Sequence, residues 1–190
     1  MSTRGVFGFR IDGQEKLTYN HSDSYPSGLG DTVVEWVRAA CAPNRLAQTM
    51  TDVSGITMVD DSEAIADADH VKRLGNRYLD MRVGGGDGIT DRDVTWYRLL
   101  RNAQPSHGIE HVVTAGVMIR MRNADVDLGY IVDFDAMTVE FHCWPRRGEQ
   151  ATGCLAPHMT LRKSYPIAEV NAWRKTWERE CFPNEDGEDE

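Results

Sequence analysis

Alternating apolar and polar positions open the chain and predict a β-hairpin. The alternation runs through residues 4–11, an Asp-Gly pair at 12–13 provides a two-residue turn, and residues 15–20 return with the same period of two. Gly5 and Gly8 lie within the first strand, although glycine is a poor strand former. Their positions indicate that another element or a ligand approaches the backbone closely there.

The middle of the chain has apolar side chains three and four residues apart, which is typical of amphipathic helices. Asp31 is expected to cap the first helix, which ends before Pro43. Pro166 is expected to open the last helix, with Trp173 and Trp177 facing the core. The helices predicted between these two cover residues 44–52, 62–74, 90–102 and 108–115.

A second hairpin is predicted near the end of the chain. Residues 129–134 and 137–142 are rich in β-branched and aromatic side chains and flank an Asp-Ala turn. Further segments are predicted as strands near residues 55–60, 78–83 and 159–163 and as a glycine-rich loop at 84–88. Hairpins near both ends with helices between them predict an α+β fold, in which one domain over residues 1–183 packs several helices on a sheet.

The charge of the chain separates a body from a tail. The 190 residues carry a formal net charge of −9, and five of these negative charges belong to residues 184–190, which predicts a disordered acidic tail. Since binding through phosphates needs clustered Lys and Arg, we expect no nucleic-acid partner. No apolar run approaches the roughly 18 residues of a membrane span and no signal segment opens the chain, so we expect a cytoplasmic protein with no membrane contact.

The cysteines predict free thiols, because the four of them include no CxxC pair and no export signal is present. His142 and Cys143 together with Cys154 and His158 offer ligand types that suit zinc. Zinc sites usually present closer Cys pairs, however. We therefore predict neither a metal ion nor an organic cofactor.

The opening of the chain also carries an ordered series of motifs. They are Thr3-Arg4-Gly5, Gly8-Phe9-Arg10, Tyr19-Asn20-His21, Asp23-Ser24-Tyr25-Pro26 and Gly28-Leu29-Gly30, followed later by Ala115-Gly116-Val117-Met118 and residues 129–135. With these motifs the chain resembles an uncharacterised family from phages and actinobacteria, whose members have a TRG start and a YNHxDSYPxGLG signature. The resemblance covers more than half of the chain. It implies a phage or prophage-type protein whose signature is residues 19–30.

The signature segment, residues 19–30, places a dense set of polar side chains in a loop beside a strand end. Loops on a rigid scaffold commonly hold binding sites. Alternatively, these side chains bond to the amides of their own loop and only shape the turn into the next helix. The candidate ligand-binding residues in this segment are Tyr19, His21, Ser24 and Tyr25.

The first functional hypothesis is a phage-type accessory protein that binds a host protein or a small anionic ligand. Arg4, Arg10 and Lys16 lie on neighbouring predicted strands and are the candidate anion-binding residues. If Arg10 shares a face with Lys16 and points inward to the acids of the loop, it belongs to an internal ion-pair network instead.

The alternative hypothesis is an N-terminal-nucleophile amide hydrolase. Removal of Met1 would expose the Ser2 hydroxyl beside a free α-amine, which can act as its general base. Asn20 and Asp23 would then orient the substrate or stabilise an oxyanion, which makes Ser2, Asn20 and Asp23 the candidate catalytic residues.

Overall fold

A mixed sheet of five strands forms the centre of the structure, a computed structural model that describes residues 3–78, 94–101, 108–121, 125–145, 150 and 159–172. The strands are β1 (Gly5–Ile11), β2 (Gln14–Asn20), β3 (Thr57–Val59), β4 (Val117–Ile119), β5 (Leu128–Asp133), β6 (Thr138–Cys143) and β7 (Thr160–Pro166). The helices are α1 (Asp31–Ala40), α2 (Leu46–Ser54), α3 (Ala68–Tyr78), α4 (Trp96–Arg101) and α5 (Gly108–Ala115). The large sheet has the strand order β2-β1-β5-β6-β7, and β3 pairs with β4 in a second, two-stranded sheet.

The first strand lies in the interior of the large sheet. β1 pairs with β2 in antiparallel fashion on one side and with β5 in parallel fashion on the other. The turn between β1 and β2 uses Asp12 and Gly13, whose φ angles of 54° and 70° lie in the left-handed region that such turns require. Both predicted hairpins and the α+β fold are confirmed.

Helices α1, α2 and α5 cover one face of the large sheet. Phe7, Phe9 and Ile11 of β1 point to this face and are buried in the same cluster as Val37 of α1. Trp36 of α1 packs against Phe9, with their ring centroids 5.5 Å apart. Because burial of apolar surface is the dominant favourable term in folding, this helical face holds the main core.

The start of α1 differs from the prediction. A π-helical turn, Pro26–Gly30, leads directly into α1, and Gly30 already has helical angles with φ −60° and ψ −51°. Gly30 therefore occupies the N-cap position, and the predicted cap by Asp31 is wrong. Asp31 lies in the first helical turn, where its carboxylate still interacts favourably with the helix dipole.

The start of α3 also differs, because the residues before it pair with a distant segment. The N–H of Ala66 donates to the Val94 carbonyl at 2.8 Å, and the N–H of Trp96 donates to the Ala64 carbonyl at 3.0 Å. The predicted helix start at residue 62 is therefore wrong. The helix begins only after Asp67, whose Oδ1 accepts the His70 N–H at 2.9 Å as an N-cap side chain does.

The other predicted elements have mixed outcomes. Residues 108–115 form α5 as predicted, whereas Tyr78 ends α3 instead of beginning a strand. The segment after Pro166 is helical as predicted, in the form of a 3-10 helix over Ile167–Ala172. Residues 79–83 of the predicted strand, the glycine-rich loop 84–88, Trp173, Trp177 and the tail 184–190 lie outside the described residues. None of the helices that the structure describes is long and apolar enough to cross a bilayer.

The close backbone approaches predicted at Gly5 and Gly8 are confirmed, and both partners belong to the protein itself. A Cβ atom at Gly5 would lie 2.5 Å from the Ser24 Cβ. A Cβ atom at Gly8 would lie 2.0 Å from the carbonyl oxygen of Lys16. The absence of a side chain at these positions therefore lets β2 and the signature segment pack directly against β1.

Gly8→Ala should lower the free energy of unfolding by about 2 kcal/mol or more, since the new methyl group overlaps a backbone oxygen that cannot move without disturbing the sheet. Gly55→Ala is the matched control, because the nearest atom to a Cβ there is 3.4 Å away. Its effect should stay within about 0.5 kcal/mol. Urea unfolding followed by circular dichroism measures both. An unchanged midpoint for Gly8→Ala would contradict the pairing of β1 with β2.

Candidate functional site

The face of the large sheet opposite to α1 and α2, which we call the distal face, carries two groups of polar side chains. Strand pairing places Val6, Leu17 and Ile131 together in an apolar strip across the middle of this face. One polar group lies at the end of the sheet where β1 begins, and the other lies where β1 ends.

The first polar group surrounds the beginning of β1. We call it the chain-start rim, and it consists of Arg4, Tyr19, His21, Tyr97 and Asp127. The backbone N–H of Arg4 donates to Asp127 Oδ2 at 3.0 Å, and the N–H of Asp127 donates to the Arg4 carbonyl at 2.9 Å. The rings of Tyr19 and His21 meet edge to face, with centroids 6.1 Å apart. The two hydrogen bonds with Asp127 hold the backbone of Arg4 in a defined place.

The Tyr19 hydroxyl shows the electrostatics of the rim. Burial raises the pKa of Tyr19 above its ordinary value, Arg4 acts in the opposite direction, and Asp127 and Tyr97 add to the increase. The hydroxyl therefore stays protonated at neutral pH. It places no negative charge beside the Arg4 guanidinium.

The three basic residues predicted to bind an anion are not brought together. Lys16 pairs with Phe9 and so points to the helical face, where its ammonium group is buried. Its Nζ donates at 2.6 Å to the carbonyl of Ser54, the last residue of α2, and at 2.7 Å to the carbonyl of Ile56. Burial lowers the pKa of Lys16, and Asp12 opposes this effect. Lys16 thus satisfies carbonyls at the end of a helix and is inaccessible to a ligand.

Arg10 lies on the distal face, at the opposite end of the apolar strip from Arg4. Its guanidinium donates to Asp133, to Glu140 at 3.2 Å and to Glu15 at 3.2 Å. Burial alone would lower the pKa of Arg10, but the hydrogen bonds to Asp133 and Glu140 outweigh it and raise the pKa. Arg10 therefore belongs to an internal ion-pair network, as the alternative interpretation expected. The acids come from strands β2, β5 and β6 and not from the loop, and Arg10 does not share a face with Lys16.

The same network includes His142. Its Nε2 lies 3.0 Å from Glu140 Oε2, and the His142 side chain is fully buried. The hydrogen bond with His142 lowers the pKa of Glu140, burial acts against this, and Arg10 lowers it further. Glu140 is thus held in its charged form by groups from two different strands.

Arg4 differs from both of the other basic residues. Its side chain is exposed. Within the part of the chain that the structure describes, its guanidinium forms no hydrogen bond or ion pair. Of the three predicted cations, Arg4 alone is available to a ligand.

The signature segment ties the start of the chain to the sheet. Asn20 is fully buried, and its Nδ2 donates to Ser24 Oγ at 2.7 Å. The Tyr130 hydroxyl donates to the Ser24 carbonyl at 2.7 Å, and the Ser24 N–H donates to the Thr3 carbonyl at 3.2 Å. Asn20 Oδ1 is buried without a hydrogen-bond partner among the described residues. Asn20 and Ser24 therefore act as internal anchors.

The remaining predicted residues of this segment are more accessible. Asp23 is exposed and has a φ of 53°, and its carbonyl accepts the Leu29 N–H at 2.9 Å. Tyr25 is 42% exposed. Asn20 and Asp23 thus face different environments, and Ser2 lies outside the described residues.

The acids Asp127, Asp133 and Glu140 of the two polar groups were not singled out from the sequence, and His142 was considered only as a zinc ligand. Glu140 and His142 are two positions apart in a strand, so the sequence alone could have predicted that their side chains share a face. Asp127 and Asp133 approach β1 only through the parallel pairing with β5, which carries no local signal.

The hypothetical zinc ligands divide between the described and undescribed parts of the chain. Cys143 accepts a hydrogen bond from Arg162 Nε at 2.9 Å, and His142 contacts Glu140. Cys154 and His158 lie outside the described residues. Among the described ranges, no group of three or more His, Cys, Asp or Glu side chains is placed to hold a metal ion.

Comparison with known proteins adds no relative. No protein-family model, curated protein or solved structure matches this chain. The resemblance to a phage and actinobacterial family therefore stays a prediction.

Glu140→Gln should make stability less dependent on pH on the acidic side. A carboxylate whose pKa is lower in the folded protein stabilises the fold above its unfolded pKa, and this contribution is lost as pH falls through the folded pKa. We expect the variant to be about 1–2 kcal/mol less stable near neutral pH, with the difference shrinking below the ordinary glutamate pKa of 4.5.

Thermal or urea unfolding between pH 7 and pH 3 measures this difference, since the titration of all other acids cancels between the two proteins. Glu63→Gln, at an exposed position, is the control and should follow the wild-type curve. A constant difference between Glu140→Gln and the wild type over the whole range would contradict a lowered pKa for Glu140.

Proposed function

We propose that this protein binds a small anionic ligand at the chain-start rim, with the Arg4 guanidinium as the anion-binding group. The observation that carries the proposal is the contrast among the three predicted cations. Lys16 is buried against carbonyl groups and Arg10 is surrounded by carboxylates, whereas the Arg4 guanidinium is exposed and has no partner within the described ranges.

The chemistry of the rim indicates the ligand class. A guanidinium presents a planar fork of donors that matches the oxygens of a carboxylate or a phosphate. The protonated Tyr19 hydroxyl adds no charge that would repel such an anion. The ligand is therefore an oxyanion, and both carboxylate and phosphate groups supply that chemistry.

The signature segment supports this function indirectly. The Ser24 N–H holds the Thr3 carbonyl, and Asp127 holds the backbone of Arg4 from both its N–H and its carbonyl. A binding group on a fixed backbone loses less conformational entropy when the ligand binds. Residues 19–30 thus position Arg4 more than they contact the ligand.

Asp127 limits the affinity of the chain-start rim for an anion, because its carboxylate lies near the anion site. Its Oδ2 accepts the Arg4 N–H, and an asparagine at this position retains an oxygen acceptor without the negative charge. Removing this charge while keeping the hydrogen bond should therefore favour an anion.

Anion binding is also compatible with the accessory role that the phage and actinobacterial resemblance implies, in which the ligand could be an acidic side chain of a host protein. The amide-hydrolase hypothesis depends on Ser2, which is outside the described residues. That hypothesis stays a prediction from the sequence.

Nuclear magnetic resonance of the arginine Nε–Hε groups tests the proposal, with inorganic phosphate and succinate as separate probes. We expect a saturable shift of the Arg4 signal with one or both probes at millimolar concentration, where the binding free energy is about −4 kcal/mol. Arg4→Met should weaken binding about tenfold or more. Asp127→Asn should strengthen it a few-fold.

The matched control is Arg120→Met, since Arg120 is an exposed arginine that already pairs with Asp60 at 2.6 Å. This variant should bind both probes as the wild type does. Equal, non-saturating shifts of Arg4 and Arg120 would show unspecific screening and overturn the proposal. Saturation by phosphate alone or by succinate alone would assign the ligand group.

A further inference from the structure

A groove lies in the helical layer, on the other side of the large sheet from the chain-start rim. It is formed between α1 and α5, with Arg45 at one edge, and has a volume of about 300 Å³. This volume is at the lower end of the range of small-molecule sites, roughly 300–1,000 Å³.

The floor of the groove is apolar. Ala40 of α1 and Ile109 of α5 are buried beneath it. Trp36 lines the groove and is half-buried, and its ring is held against Phe9 at a tilt of 53°. In the described part of the molecule the Trp36 indole N–H donates to no acceptor. The groove thus offers an aromatic surface in a fixed orientation.

The edges of the groove carry two acidic residues and one basic residue. Glu35 and Glu110 line it and are exposed, and neither carboxylate has an ion-pair or hydrogen-bond partner in the described ranges. The third charged group, Arg45, directly precedes α2 and donates to the carbonyl of Ala39 in α1 at 3.2 Å. The groove therefore keeps two carboxylates that have no ion-pair partner among the described residues.

We propose that this groove binds an organic cation, namely a protonated amine with an aromatic or alkyl body. The apolar body would cover Trp36 and Ile109, and the ammonium group would lie between the two carboxylates. A cation near the face of a tryptophan ring is attracted by the ring quadrupole, and the carboxylates add a charge attraction. An anionic ligand would be repelled by Glu35 and Glu110, and a neutral one would gain only the apolar contact.

The test uses the full chain with phenethylammonium as the probe and phenethyl alcohol as its uncharged counterpart. Binding is followed through the Trp36 indole N–H signal, assigned with a Trp36→Phe variant. We expect a saturable shift with the amine at millimolar concentration and at least about fivefold weaker binding of the alcohol. Raising the salt concentration should weaken amine binding, because part of the attraction is electrostatic.

Three substitutions are expected to change the affinity for the amine in opposite directions. Glu35→Gln and Glu110→Gln should each weaken amine binding about fivefold, whereas Arg45→Gln should strengthen it, since it removes a repelling charge. Glu63→Gln, outside the groove, should leave the affinity unchanged. Unfolding curves of the variants check that each one is folded.

The proposal is overturned if the Trp36 signal does not respond to the amine, or if amine and alcohol bind equally. It is also overturned if Arg45→Gln weakens amine binding as much as the glutamate variants do. The result is independent of the chain-start rim, since Arg4→Met should bind phenethylammonium with wild-type affinity.

Discussion

The parallel pairing of β1 with β5 is the constraint on which the rest of the structure depends. It places the first strand of the chain in the interior of the sheet, beside a strand that begins more than a hundred residues later. Polar contacts follow along the whole pairing. Arg4 meets Asp127 at its beginning, and Arg10 meets Asp133 at its end. Beyond it, Asp135 accepts the backbone N–H groups of residues 12 and 13 at 2.8 and 2.9 Å.

Strand pairing in the large sheet places side chains of the same charge in different environments. Because side chains alternate along a strand, Arg4 and Arg10 share the distal face, while Lys16 lies on the helical face. Acids of β5 and β6 lie at one end of the distal face, where they form ion pairs with Arg10. The other end has the exposed Arg4. A chain with a net charge of −9 can therefore still present a local site for an anion.

Local patterns predicted the elements whose structure depends on local interactions. The two hairpins and α5 follow from period-two alternation, turn residues and helical spacing, and Gly5 and Gly8 correctly indicated close backbone approach. The segment before α3 was misassigned because the apolar residues at 64, 65, 68 and 71 fit a helical spacing. The backbone groups of residues 64 and 66 instead pair with residues 94 and 96. Only the tertiary structure provides that partner. For the same reason the buried role of Asn20 and the acids around Arg10 could not be derived from spacing alone.

The register of β1 against β5 is the central claim, because a shift by one residue would move Arg4 and Arg10 to the helical face and bring Phe7 and Phe9 to the distal face. Nuclear Overhauser contacts between backbone protons of the two strands measure this register directly. The account predicts a parallel pattern in which Gly8 lies opposite Ile131. Contacts of Gly8 centred on the residue before or after Ile131, or an antiparallel pattern, would contradict it.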